Sequence, residues 1–165
     1  MSISNPVSPF TRNPASASGH HEDAFWWQGG LYLMKARAAD TDGALGLVEA
    51  SLFQGFGPPL HVHRREDEAF YVIEGEIRFR LADEEFITGA GSWVWGPRDI
   101  PHTFKVESER ARGLILVTPG GFERMFEVGG VPVRESPKPP VQHYDPEHAV
   151  AISKQFDFEV VGPQL

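Results

Sequence analysis

Cysteine is absent from the 165-residue chain, which excludes a disulfide framework and every thiolate-based zinc site and is compatible with a reducing compartment. Long apolar runs are missing as well, and no stretch approaches the length a helix needs to cross a bilayer. The first twenty residues hold a single Arg and no apolar core of the signal-peptide kind, so a cytoplasmic protein with no membrane partner is expected. Positive charge is in deficit too. Fifteen Lys and Arg stand against 23 Asp and Glu, a net charge of −8, which is the opposite of the basic patch that a nucleic-acid partner requires. One domain is the natural count for this length, enough to bury on the order of 70% of the surface of the unfolded chain.

With thiols excluded, histidine carries the chemistry. Residues 55–75 read Gly-Phe-Gly-Pro-Pro-Leu-His61-Val-His63-Arg-Arg-Glu-Asp-Glu68-Ala-Phe-Tyr-Val-Ile-Glu-Gly. On an extended segment His61 and His63 point to the same side and can grip one ion. A His-x-His pair by itself is a weak signal, but three features strengthen it. Pro58 and Pro59 bias the approach toward extended backbone. Glu68 opens the apolar run Ala-Phe-Tyr-Val-Ile, which reads as the next strand. It shares a face there with Phe70 and Val72, so it is an acid on a face that otherwise looks buried and needs a partner. His102 enters a second such strand, with Phe104 and Val106 as its same-face neighbours. His61, His63, Glu68 and His102 make a nitrogen and oxygen donor set. It suits one divalent transition metal per chain (Fe, Ni, Mn, Co, Cu or Zn) with coordination positions left open, better than a closed structural zinc site. Phe70, Val72, Phe104 and Val106 are expected to line the substrate site, joined by Trp93 and Trp95. Walls of that kind favour a small, flat, hydrophobic aromatic partner.

The rest of the chain reads as short strands between turns. Residues 1–22, with Pro6, Pro9 and Pro14 among serines, read as a flexible arm. His20 and His21 are adjacent and face opposite ways, so they form no ligand pair. Phe25-Trp26-Trp27 reads as an aromatic edge or subunit anchor. Strands are expected at 31–36 and 44–53, joined as a hairpin through the turn chemistry of 38–43. Strict alternation in 76–81 marks a half-buried antiparallel strand, and further strands follow at 85–88, 93–95, 102–106 and 112–117. Arg64-Arg65, followed by Glu66-Asp67, reads as a solvated loop. Eight or more short strands at such spacing signify a sandwich or barrel. Phe122, Met125 and Phe126 fall at helical spacing, with Gly129 placed to terminate a short helix. A proline-rich connector over 131–141 leads to a second helix, with Asp145 and Pro146 as N-cap and N1 and with Ala149, Ile152 and Phe156 on one stripe. His143 and His148 take surface or capping roles.

The spacing Gly55-x5-His61-x-His63-x4-Glu68-x6-Gly75 resembles the first motif of the cupin superfamily, and Gly91-x5-Pro97-x4-His102 resembles the second. That second motif usually has Gly where this chain has Asp99 and Asn where it has Val106. The resemblance covers roughly 44–118. It implies an all-β jelly-roll barrel (a double-stranded β-helix) over 23–130, with the connector and C-terminal helix of 131–165 packed on it. The phrase Thr-Pro-Gly-Gly-Phe-Glu-Arg-Met-Phe is similar to single-domain, quercetin-dioxygenase-like cupins. That likeness implies a metal-dependent dioxygenase acting with O2 on a flavonol-like or other enolisable aromatic compound, in which Glu68 is both ligand and catalytic base. The alternatives are a non-redox metal-dependent cupin, such as a polyketide cyclase or isomerase, and a metal- or ligand-binding module without turnover. Cupins commonly pair through their sheets and N-terminal segments, so the resemblance also implies a homodimer.

Overall fold

The structure is a computed structural model that describes residues 23–136 and 146–165, with side chains in the second stretch from residue 150. Among the described residues, twelve strands form. They are β1 (Ala24–Trp27), β2 (Gly30–Ala36), β3 (Gly46–Phe53), β4 (His61–His63), β5 (Asp67–Glu74), β6 (Ile77–Leu81), β7 (Glu84–Thr88), β8 (Trp93–Gly96), β9 (His102–Val106), β10 (Arg110–Thr118), β11 (Val131–Pro132) and β12 (Phe158–Val160). A 3-10 turn at Phe122–Arg124 leads into helix α1 (Met125–Gly129), and α2 (Pro146–Gln155) precedes the last strand. No described helix is long and apolar enough to cross a membrane.

Two antiparallel sheets enclose one core. The seven-stranded sheet runs β11-β1-β2-β3-β10-β5-β8, and the five-stranded sheet runs β12-β4-β9-β6-β7. This is the jelly-roll arrangement, in which each sheet turns an apolar face inward. Alternation decides which residues those are. On β6, Ile77 and Phe79 are buried while Arg78 and Arg80 are half-exposed, and the Phe79 ring meets Phe70 from β5 and Phe104 from β9 at 5.1 and 5.9 Å between centroids. Off-parallel aromatic contacts at such distances stabilise beyond their buried area.

Turn chemistry sets the registers. Gly75 sits at φ +86° between β5 and β6, a region open to glycine at little expense. Asp99, where the resembled motif carries Gly, adopts φ +65°. An Asp tolerates that conformation better than most side chains, and here its carboxylate accepts from Arg64 Nη1 at 3.0 Å while its N–H donates to the His63 carbonyl at 2.8 Å.

The strands between 31 and 117 and the first short helix match their expected positions to within a few residues, and the second helix begins at Pro146. Three features differ. The expected connector contains β11, which pairs with β1 through Phe25 opposite Pro132; this lies at the sheet edge, where proline's missing N–H leaves no ladder gap. Beyond α2 the chain forms β12 and adds to the edge of β4, with Phe158 opposite His63 and Val160 opposite His61. The loop 64–67 is not simply solvated. Arg64 is tied to Asp99 and Glu159, Asp67 holds Arg98, and Glu66 is 3% exposed. The expected arm, His20, His21, His143, Asp145 and the His148 and Ala149 side chains lie outside the described residues.

The approach to β4 tolerates little. A Cβ on Gly57 would collide with the Phe104 carbonyl oxygen on the neighbouring strand, and Gly57 lies in the loop that delivers His61. Gly57→Ala is expected to destabilise the fold by about 2–3 kcal/mol, typical of overpacking against backbone. A urea midpoint equal to that of the unaltered protein would contradict this close approach.

Candidate metal centre

β4 is only three residues long, yet it places two imidazoles on the inner face of the five-stranded sheet. His61 lies directly opposite His102 of β9, which brings the third imidazole alongside. Glu68 comes from β5 in the opposite sheet. Its Oε2 lies 3.0 Å from His102 Nε2, 3.4 Å from His63 Nε2 and 3.9 Å from His61 Nε2. One donor atom from each residue falls within 4.8 Å of all the others, and all four residues are buried. Four donors held about 2.1 Å from one ion stand roughly 3–4 Å apart, which this cluster nearly matches without rearrangement. The four expected ligands therefore meet in one place, and the cluster could hold a metal.

Hydrogen bonds aim the rings. His61 Nδ1–H donates to the Pro59 carbonyl at 2.8 Å and His102 Nδ1–H to the Ile100 carbonyl at 2.9 Å, assignments that turn each Nε2 toward the centre. His63 makes no hydrogen bond through either nitrogen, its Nε2 standing 3.4 Å from Glu68 Oε2, although it is 1% exposed. A buried polar atom without a partner is costly, and a cation bound at Nε2 supplies what the protein does not. Donor chemistry and orphaned nitrogen both fit a divalent transition metal.

The electrostatics follow from burial and contact. Burial opposes the Glu68 charge, but the contacts with the His102, His61 and His63 imidazoles outweigh it and hold the carboxyl well below the usual carboxylate range. Burial pushes His61 down to about 4, so its imidazole is neutral and able to ligate at neutral pH. For His102 burial is again the largest influence and opposes the charge, yet the bond to Glu68 raises its pKa on balance. Glu66 is the acid that sequence reasoning placed in a solvated loop. It is buried near His63 with Oε2 unpartnered, and desolvation raises its pKa.

The cluster opens on an apolar cavity of about 180 Å³. Of the six expected wall residues, only Phe104 lines it together with the ligands His61, His63 and Glu68. Phe70, Val72 and Val106 share faces with the ligands but belong to other layers of the barrel, since each step of two residues along a strand moves about 6.7 Å. Trp93 and Trp95 are a correction of a different kind: they are 56% and 44% exposed on the outer side of β8, while Val94 and Gly96 point inward. Apolar residues occupy both alternate sets of that strand, so pattern alone could not tell inside from outside. The missing wall comes from Tyr32, Phe122, Met125, Ile152 and Phe158, and from Trp27, whose aromatic segment reads from sequence as an edge or anchor. Burial and the Glu68 charge push the Tyr32 phenol up, so it stays protonated and available as a donor in the cavity. The helical spacing of Phe122 and Met125 identifies an apolar face, though not what that face covers.

Comparison with known proteins agrees with this geometry. The model of the Cupin domain matches residues 51–118, which hold all four cluster residues. Quercetin 2,3-dioxygenase of Bacillus subtilis is 27% identical over 105 residues, covering 64% of this chain and 31% of that enzyme, so the chain aligns with about a third of its relative. Among solved structures, an RmlC-like cupin from Shewanella frigidimarina aligns with a TM-score of 0.54 at 18% identity, covering 62% of this chain and 89% of that one. KdgF from Halomonas sp. aligns with a TM-score of 0.53 at 20% identity over 58% and 86% of the two chains. At these identities the structural matches speak for the fold alone.

The neutral burial of His61 has a measurable consequence in metal-free protein. Its folded pKa of about 4 lies below the ordinary 6.5, so the unfolded state takes up the proton first as pH falls. Stability present above pH 6.5 is lost down to about 4, an interval worth roughly 3 kcal/mol. The depressed Glu68 adds to the loss once pH falls below the ordinary carboxylate value, whereas the raised His102 contributes below 6.5 and fades as pH rises through its folded value. Chelator-treated protein should show a urea midpoint that drops steeply from pH 6.5 to 4.5, and His61→Asn should drop less. Equal slopes would contradict the buried neutral imidazole.

Proposed function

We propose that the chain is a metal-dependent dioxygenase of the cupin superfamily acting on an enolisable aromatic compound. The observation that carries this reading is the buried cluster of three imidazoles and one carboxylate opening on an apolar cavity, with no hydrogen bond to either nitrogen of His63. The similarity to quercetin 2,3-dioxygenase supports an aromatic substrate and O2 as co-substrate. Bound at His61, His63, Glu68 and His102, a divalent transition metal would supply Lewis acidity toward a substrate hydroxyl and, if redox-active, an electron path to dioxygen.

The protein's own groups do the remaining work. Pro59 and Ile100 carbonyls fix the tautomers of His61 and His102, so no proton has to leave those Nε2 atoms when they ligate. Phe104, Phe122 and Phe158 give the substrate side of the cluster an apolar lining, which strengthens electrostatic interactions there once a substrate displaces water. Glu68 is the only carboxylate in the cluster. Its Oε2, ionised and 3.0 Å from His102 Nε2, is placed to accept the proton of an incoming enol. Tyr32 can donate to a second substrate oxygen.

Glu68→Gln keeps the shape and an oxygen but removes the base. It is expected to retain part of the bound metal, to lose the absorption shift that marks deprotonation of an added hydroxyketone in the absence of oxygen, and to lose turnover by about 100-fold or more, the usual scale of a positioned general base. His63→Ala is expected to lose metal and turnover together, as read by elemental analysis and oxygen uptake. Metal-replete protein that leaves single-ring and multi-ring enols untouched under oxygen would overturn the oxygenase reading in favour of non-redox chemistry at the same centre.

A further inference from the structure

The cavity is closed on one side by the C-terminal end of the chain. β12 adds to β4, so its residues lie beside the two histidines rather than over a loop. The Phe158 ring stacks on His61 at 4.3 Å and 25° and runs nearly parallel to Phe122 at 6.0 Å and 20°. Phe122 in turn stands edge-on to His63 at 4.3 Å. Ile152 of α2, 6% exposed, completes the wall behind them.

This wall is tied down along its length. Leu60 N–H donates to the Pro163 carbonyl at 3.0 Å and its own carbonyl accepts from Val161 at 2.8 Å. Gln164 Nε2 donates to the Gly57 carbonyl at 2.6 Å. On the outer face, Arg64 holds Glu159 through Nε at 3.0 Å and Nη2 at 2.6 Å while also reaching Asp99. A segment held by a backbone ladder at one end and by Ile152 at the other presents a shaped surface to the site rather than a loose cover.

Size then becomes the deciding quantity. A cavity of about 180 Å³ lies below the roughly 300–1,000 Å³ of pockets that enclose drug-sized ligands, and only slightly above the ~150 Å³ at which an apolar cavity takes up benzene. One ring with its chelating oxygens matches that volume beside the cluster, and a three-ring compound exceeds it. Resting on the reading of the site as an enol-binding metal centre, we propose that the segment 150–164 is a specificity wall that restricts the substrate to single-ring enols or hydroxyketones and excludes flavonols, with Phe158 and Ile152 as the residues that set the limit.

The test uses the 165-residue chain reconstituted with Zn²⁺, so that binding is read without turnover. Two probes present the same 3-hydroxy-4-ketone: a simple 3-hydroxy-4-pyranone and 3-hydroxyflavone. Calorimetry and the probes' absorption shifts give Kd for each. The unaltered protein should bind the pyranone at least 30-fold more tightly than the flavone. Phe158→Ala and Ile152→Ala, each checked for zinc content and circular dichroism, should shift the ratio of the two affinities toward the flavone by about tenfold. Comparable affinities in the unaltered protein would overturn the wall while leaving hydroxyketone binding intact. A preference for the pyranone that neither variant alters would remove Phe158 and Ile152 from the role. Binding of neither probe by zinc-replete protein would overturn the enol-binding reading of the centre and the wall's substrate class with it.

Discussion

A single ionised carboxylate, buried between two sheets and faced by three imidazoles, is the constraint around which this barrel is arranged. Glu68 belongs to the seven-stranded sheet and its partners His61, His63 and His102 to the five-stranded one, so the contact spans the interior rather than any one ladder. A lone charge there would be strongly unfavourable. Three imidazole nitrogens lie within 3.9 Å of one carboxylate oxygen, and a cation held among them would balance its charge. The loops on either side serve that contact: the Gly57-Pro58-Pro59 approach packs against the Phe104 carbonyl and supplies the acceptor for His61, and the turn before β9 supplies the acceptor for His102.

The same placement separates two kinds of interior. One layer of the barrel is filled by Phe70, Phe79, Phe104 and Val106 and is a packed core. The next layer holds the ligands and remains hollow, and its walls are completed by elements outside the two motifs, α1 and the segment from α2 to β12. Stability and chemistry therefore draw on different residues of the same strands. On β9, His102 belongs to the site, Phe104 borders both layers and Val106 belongs to the core.

What was legible in the sequence, and what was not, follows from the range of the interactions involved. Period-two alternation marks the strands, and the motif spacings group His61, His63, Glu68 and His102, because a side chain's face along a strand is a local property of the backbone. The proline and glycine punctuation likewise located the turns at Gly75 and near Asp99, the latter as a departure from the resembled motif that the structure accommodates with a positive φ and an Arg64 contact.

The sequence by itself determined the all-β class, the donor set and the absence of thiol chemistry. Only the tertiary structure decided which aromatic residues surround the centre. Trp93 and Trp95 were indistinguishable from inward residues by pattern, since Val94 between them is also apolar, and it is the pairing of β8 with β5 that turns them outward. Trp27, Phe122 and Phe158 reach the cavity from three separate parts of the chain. Phe158 does so through a three-residue strand that joins β4 across nearly a hundred residues of sequence. A segment that short carries no periodicity of its own. Its position depends on long-range backbone pairing and ring contacts, which no local spacing encodes.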